Sequence, residues 1–492
     1  MLTTPIGKLA GHCRHALALF MLVALLPSLS LAQAAVVDSA AIRRFVTEAM
    51  RADGVPGLAI VIVTHDGTAY AEGFGTTGSE SDPITPDTPF VLGSMSKSVT
   101  ALAVMQLVEA GRIDLDAPVR RYLPDFTMAS ADAERITVSQ LLAHTSGIPT
   151  KAARAEGEAR TLAGHVSALR RVALERAPGA AHEYASPNYQ VLGRIVEVVS
   201  GESFGAYVDR HIFVPLGMRR SYADAASASA AGLAYGHQMM FGLAVARHLA
   251  AEPDRLPTAA LMSSANDLGR FLRAQLRGGE IDGVRVASDS SVAAMHRPLV
   301  QAAGFAYAMG WRVSEIGGGV AVHHGGILPN YRGKMVMLPE RGLGVVVLTN
   351  VSTVIGAPTS HRIADGVAAI VSAQQPTPSP KLSLWWMLVG VAIGMVVIAA
   401  LQLRGLARAV RAPRSVGVAV KEIGFAAALV FGLPALLGFG WGEMWRQAPD
   451  LTVWMIAAAA LGVATGLVRL RNTVRPIEQA AGIEAAGAIL QG

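Results

Sequence analysis

Three charge-free apolar runs near the C-terminal end, Leu382–Leu403, Ile423–Trp441 and Leu451–Val468, constrain this chain more than any other feature. Each is 18 residues or longer, enough to cross a hydrocarbon core of about 30 Å as a helix. Trp385, Trp386 and Trp441 sit near the ends of the runs, and Trp445 lies between the last two, where interfacial aromatics belong. The flanking charges set an orientation. The first connection carries Arg404, Arg408, Arg411, Arg414 and Lys421, the second, Gly442–Asp450, only Arg446, and the tail 469–492 carries Arg469, Arg471 and Arg475. Basic loops stay cytoplasmic. The first connection and the tail are therefore expected inside, and everything before Leu382 outside.

The N-terminus agrees. Lys8 and Arg14 precede an uncharged stretch, Ala16 to Ala32, followed by Ala32-Gln33-Ala34, the pattern of a secretory signal over residues 1–34. An uncleaved anchor is the alternative reading. The one cysteine, Cys13, precedes the apolar stretch, so neither an internal disulfide nor a cysteine-based metal site is expected. A hydrophobic content of 52% against 16% charged residues excludes a disordered chain. The net charge of +6 is modest, and the basic excess lies beside apolar segments. That placement reads as membrane topology, and no nucleic-acid partner is expected. Residues 374–381, beginning Gln374-Gln375-Pro376, read as a proline-rich linker from the exported domain to the membrane.

The exported block, residues 35–373, starts and ends in strands. Gly57–Val63 reads as a buried strand, and His65-Asp66-Gly67 turns it into a second, Thr68–Gly73. Gly319–His323, Lys334–Leu338 and Leu343–Leu348 read as strands near the end, the last two joined by the turn Pro339–Gly342. Helical patterns cover Ser94 to about Ala110, Val138–Ala143, Asn188–Val199 and Asn266–Arg277. One mixed domain follows, its sheet closed by segments far apart in sequence and paired antiparallel.

Three segments carry chemistry. In Ser94-Met95-Ser96-Lys97, residues i and i+3 share a helix face, so the lysine amine meets the serine hydroxyl. A serine attacks well only after a base takes its proton, and a lysine is that base only when burial or a neighbouring cation keeps it neutral. Chance also produces S-x-x-K. Yet the chain holds only six lysines among 42 basic residues, and arginine, always protonated, cannot substitute. Tyr184-Ala185-Ser186-Pro187-Asn188-Tyr189 offers a phenol that relays protons beside a lysine, with Ser186 or Asn188 as hydrogen-bonding groups. The same segment also reads as a helix start, Ser186 capping and Pro187 in the first turn. His323-His324-Gly325-Gly326 follows an apolar strand, where glycines let a substrate approach the backbone and expose an N–H as an oxyanion donor. Without H-E-x-x-H or another clustered His/Asp set, neither a metal nor another cofactor is expected.

Taken in order, these segments resemble the serine-reactive penicillin-recognising hydrolases, more narrowly the class C β-lactamase, DD-peptidase and carboxylesterase group. Gly111–Pro124, Ile136–Pro149, Pro215–Met218 and Met262–Asp267 are similar to that group as well, so the likeness spans roughly Ile42 to Asn350. The resemblance implies an α+β fold, an antiparallel sheet flanked by helices with a helical subdomain, ahead of three transmembrane helices. It implies Ser94 as nucleophile, Lys97 as its base and Tyr184 as proton relay. It also implies an oxyanion hole from the N–H groups of Ser94 and Gly326, and substrate contacts from Ser186, Asn188, His323, His324 and Gly325. Here Ser186 stands where the group usually has asparagine, and His323-His324-Gly325 replaces Lys-Thr-Gly. Both changes point away from a dedicated β-lactamase towards an esterase-like or peptidase-like hydrolase, with Arg332 as a possible compensating cation.

The expectation is a hydrolase of the inner membrane facing the periplasm, acting on amide or ester bonds of D-amino-acid peptides, esters or β-lactams. The competing expectation is a module that binds a cell-wall ligand or penicillin with little turnover and signals through its helices.

Overall fold

The computed structural model describes residues 37–78, 82–150, 152, 161–247, 252–352, 359–377, 384–411, 416–438 and 440–489. The expected signal segment 1–34, with Cys13, lies outside the described residues, as does part of the linker 374–381.

The sheet is eight-stranded. Its strands are β1 (Gly57–Thr64), β2 (Thr68–Gly75), β5 (Val300–Ala302), β6 (Phe305–Tyr307), β7 (Arg312–Ile316), β8 (Gly319–Ile327), β9 (Arg332–Leu338) and β10 (Leu343–Thr349). A separate hairpin, β3 (His237–Met240) and β4 (Leu243–Ala246), pairs in parallel through β3 with the short β11 (Val351–Ser352). The sheet order is β2-β1-β10-β9-β8-β7-β6-β5, antiparallel throughout, with Leu58 opposite Thr349 and Thr64 opposite Leu343. The sheet is thus closed by sequence-distant strands, as expected from the pattern. The unbroken Gly57–Val63 run is explained by cover on both faces.

On one face lie α1 (Ser39–Asp53) and α5 (Thr359–Val371). Asp38 caps α1 by accepting the Ala41 N–H at 2.9 Å. Gly366 of α5 lets the Phe45 ring pack where any side chain would collide. On the other face lie α2 (Ser96–Glu109), α3 (Ser186–Ser200) and α4 (Ala265–Leu276) in the main core. α2 is buried nearly all round, including Ser96, Lys97, Ser98 and Thr100. A helix enclosed in this way carries its polar groups only where they find partners. The sequence reading assigned no helix to 39–53 or 359–371.

Three helices are long and apolar enough to cross a membrane: Trp386–Val410, Val416–Leu436 and Pro449–Arg471. They belong to α6 (Leu384–Arg411), to α7 (Val416–Ala427) with its continuation, and to α9 (Pro449–Ile489). The second departs from the sequence reading. It begins seven residues before Ile423, and Trp441 falls outside it in a separate short helix, α8 (Trp441–Gln447). Gly438 in the left-handed conformation (φ 67°) ends the span before Trp441. Pro434, which has no N–H to give, follows a widened turn over Ala428–Gly432.

Candidate active site

Ser94 sits in a tight turn, Gly93–Met95, that runs directly into α2. Lys97, fully buried in the first turn of α2, places Nζ 3.3 Å from Ser94 Oγ and 3.0 Å from the Thr258 carbonyl oxygen. The turn carrying Thr258 is itself tied to α2, since Thr100 Oγ1 donates to the Pro257 carbonyl at 2.8 Å. Among the described residues no ion pair includes Lys97, whereas the other buried lysine, Lys334, meets Asp365 at 2.5 Å. Burial without a carboxylate lowers the Lys97 pKa, the nearby Tyr184 phenol raises it, and Arg255 and Arg312 add to the lowering. A neutral amine donates one N–H to Thr258 and keeps its lone pair for the Ser94 proton.

Tyr184 lies two residues before α3, ahead of its capping residue Ala185. Its ring centroid lies 4.9 Å from Lys97 Nζ, and its buried hydroxyl makes no well-formed hydrogen bond among the described residues. Ser186 is the first residue of α3, partly exposed, with Ala185 rather than Ser186 in the capping position. Asn188 is engaged elsewhere. Its Oδ1 accepts from Ser146 Oγ at 2.6 Å and its Nδ2 meets His144 Nδ1 at 2.9 Å. Both ends of that buried amide hold the wall of the site. His144 Nδ1 also accepts the Ala185 N–H at 3.2 Å, and its ring lies 4.4 Å from the Tyr184 ring.

The glycine strand requires a correction of one residue. His323 does not face Ser94: its Nε2 meets Ser314 Oγ at 2.9 Å. Burial first, and then Lys334, Arg312 and His361, push its pKa down to about 2. Gly325 shares that side, where an added Cβ would strike the His361 ring at 2.4 Å. The alternate residues His324 and Gly326 face the serine. His324 is fully buried and its ring lies 6.3 Å from the Tyr184 ring. Its Nδ1 donates to the Gly325 carbonyl at 2.8 Å, so Nε2, 3.3 Å from the Tyr307 hydroxyl, is the acceptor. Burial first, and then the Arg312 charge, hold its pKa well below the usual histidine value.

The candidate for the oxyanion donor moves by the same step. Gly326 opposes Gly333 of β9, and the Leu328 N–H donates to the Tyr331 carbonyl at 2.9 Å to close that hairpin. N–H groups alternate in direction along a strand, so those of Gly326 and Leu328 both turn to β9. The Ile327 N–H therefore points the other way, past the start of β7, whose pairing reaches only to His323. A Cβ on Gly93 would come within 2.8 Å of the Ile327 nitrogen, and one on Gly326 within 1.9 Å of the Leu92 carbonyl oxygen. Glycine at both positions lets the strand lie directly against the serine turn. The Ile327 N–H is thereby left off the β9 ladder and close to the serine turn, a geometry open to a tetrahedral oxyanion.

Arg332 does not serve as the site's cation. It is buried in β9 with Nε donating to Ser352 Oγ at 2.9 Å. Arg312 takes that place, its guanidinium 5.6 Å from the Tyr184 ring centroid and 4.4 Å from that of Phe305. Sequence reasoning missed Arg312, Thr258, His144 and Ile327, since sheet pairing and loop packing bring them in from distant segments. No group of three or more histidine, cysteine or acidic side chains suited to a metal occurs among the described residues. A cavity of about 1170 Å³ elsewhere in the domain is lined by Phe204, Phe213, Met218 and Tyr222 and contains none of these reactive groups.

Comparison with known proteins agrees with the fold. The Beta-lactamase family matches residues 42–369. Penicillin-binding protein 4 of Amycolatopsis lactamdurans is 33% identical over 313 residues, 60% of this chain and 81% of that protein. Protein flp of Staphylococcus aureus strain MW2 is 28% identical over 308 residues, 61% of this chain and 60% of that protein, so the match spans under two thirds of that relative. The octameric penicillin-binding protein homologue from Pyrococcus abyssi superposes with a TM-score of 0.62 at 29% identity, over 69% of this chain and 78% of that one. A match over two thirds of the sequence, on a fold that brings Ser94 and Lys97 together, makes this chain a member of the Beta-lactamase family of serine hydrolases and acyl transferases.

Proposed function

We propose that the chain is a membrane-anchored, extracytoplasmic serine hydrolase that works through an acyl-enzyme on amide or ester bonds. D-amino-acid peptides, esters and β-lactams are its candidate substrates. The observation that carries the reading is a fully buried lysine with no carboxylate partner among the described residues, 3.3 Å from a partly exposed serine hydroxyl.

Ser94 Oγ attacks the substrate carbonyl carbon as Lys97 Nζ takes its proton. The oxyanion is met by the N–H groups of Ser94 and Ile327. Collapse breaks the bond to the amine or alcohol, which leaves with a proton delivered from Lys97 by way of Tyr184. Water then attacks the acyl-serine, giving its proton back along the same route, and frees the acid. Arg312 offers a substrate carboxylate its positive charge, and neutral His324 offers an acceptor. Penicillin-binding names among the relatives support a carbonyl substrate of this class.

A second reading, a penicillin- or cell-wall-ligand-binding module with little turnover, draws on the contact between the loop around α8 and the catalytic domain. There the Gln238 side chain donates to the Arg446 and Gln447 carbonyls at 3.0 and 2.6 Å.

Intact-mass analysis of the full chain with a penicillin, a D-Ala-D-Ala peptide and a short-chain ester tests the proposal. The expected result is an acyl adduct that forms and disappears, absent in S94A. An undiminished adduct in S94A contradicts it, and a permanent adduct without product selects the second reading.

A further inference from the structure

The β3–β4 hairpin has no part in the serine site, yet it carries features a buried or solvated hairpin does not need. Its two-residue turn, Phe241-Gly242, has positive φ at both positions, 51° and 83°. That geometry favours Asn-Gly, and a bulky aromatic adopts it only at a cost. Phe241 gains little packing in return, being 43% exposed, and Leu243 and Val245 of β4 are 65% and 41% exposed. Leu243 and Val245 alternate onto one face, so the strand presents an apolar row that ends at the strained tip.

The tip is joined to the ends of two apolar helices. The Phe241 N–H donates to Asp450 Oδ2 at 3.0 Å, while Asp450 Oδ1 accepts the Leu451 N–H at 2.9 Å at the start of α9. A Cβ on Gly242 would lie 3.0 Å from the Val389 side chain, one turn inside the span Trp386–Val410. α6 and α9 run side by side from there, Trp454 Nε1 donating to the Met395 carbonyl at 3.1 Å and Gln402 Nε2 to that of Ala458 at 3.0 Å. At the hairpin's base, Arg247 Nη2 donates to the Trp445 carbonyl at 3.0 Å. Exposed Trp386, Trp441 and Trp445 surround the same helix ends, the position of an interfacial aromatic belt.

We propose that Phe241, Leu243 and Val245 form a lipid-contacting tip that enters the headgroup–acyl boundary of a phospholipid bilayer beside the outer ends of α6 and α9. The hairpin thereby holds the catalytic domain down on the membrane as a second, monotopic anchor. The inference rests on reading the three apolar helices as membrane spans. A bilayer is the occupant that fits, because the apolar row is continuous with the span containing Val389 and shares its level with the tryptophans.

The test uses the full chain in lipid nanodiscs, in a Cys13→Ser background, with single cysteines carrying an environment-sensitive fluorophore at Leu243, Val245, Val320 or Val396. Val320 is 53% exposed near the start of β8 and Val396 is 68% exposed within the first span. Spin-labelled lipids with shallow or deep labels are then added. Labels at Leu243 and Val245 are expected to be quenched at least twofold more than at Val320, and more by shallow than by deep spin labels, while Val396 responds to deep ones. Quenching at Leu243 and Val245 no greater than at Val320, with Val396 still quenched, overturns the anchor and leaves the spans standing. No quenching at Val396 removes the membrane reading and the inference with it.

Discussion

At the scale of single residues, the account turns on where one proton and one N–H are held. Ser94 and Lys97 are legible in the sequence because three residues along a helix is a local distance. The histidine pair is not, because His323 and His324 differ only in which face they take, and a shift of one exchanges the faces completely. The same shift moves the oxyanion donor from Gly326 to Ile327, and this gives a direct test. Proline at 327 removes an N–H that β9 does not use, and proline is tolerated where the N–H lies off the ladder. Ile327→Pro is expected to keep its melting temperature within a few degrees and to lose about 10²–10³-fold in acylation rate, the effect of removing one oxyanion donor. An unchanged rate would return the role to Gly326.

At the scale of elements, the sheet face beneath α5 stores a pH dependence. His323 is buried and neutral, its pKa pushed down to about 2. In the unfolded chain it would titrate near about 6.5. Between those values the unfolded state binds more protons, so stability falls as pH falls below about 6.5, by up to about 1.4 kcal/mol per pH unit for this one group. Thermal melts between pH 7 and 5 are expected to show that loss, and His323→Gln, which keeps a polar partner for Ser314, to reduce it by this group's share, the other buried histidines keeping theirs. Equal slopes for both proteins would contradict the assignment. Five of the eight strands, β1, β2, β8, β9 and β10, were legible from their apolar runs and short turns, and so was the closure of the sheet by segments far apart in sequence, whereas β5, β6 and β7 were not read as strands. Arg312 was not, because only the pairing of β7 with β8 carries it to Tyr184. Helices 39–53 and 359–371 escaped notice as well, and their role becomes visible only with the face of the sheet they cover.

At the scale of the whole molecule, three apolar helices and a serine hydrolase domain are joined by more than the chain that links them. Gln238 and Arg247 hold the backbone of Trp445, Arg446 and Gln447, and Asn330 Nδ2 donates to the Arg247 carbonyl at 2.9 Å from the turn that follows β8. The paired change Gln238→Ala and Arg247→Ala removes several hydrogen bonds, each worth about 0.5–1.5 kcal/mol net. Amides of β3 and β4 are expected to exchange at least tenfold faster in the double variant, with β1 and β10 unchanged. Equal exchange would mean that the Gln238 and Arg247 hydrogen bonds do not hold the hairpin to the helices. The helices themselves were legible from hydropathy. The boundary at Gly438 was not, because the apolar composition runs on past the glycine that ends the span.

The central claim is that Lys97 is uncharged when it meets Ser94, and its titration can be observed directly. With only six lysines in the chain, ¹³Cε-lysine labelling gives a spectrum simple enough to follow each one, and K97R identifies the resonance. The account predicts that the Lys97 signal titrates well below the ordinary value of 10.5, and that the acylation rate rises with pH through the same midpoint. A Lys97 signal that titrates at or above 10.5, or an acylation rate retained in K97R, would contradict it.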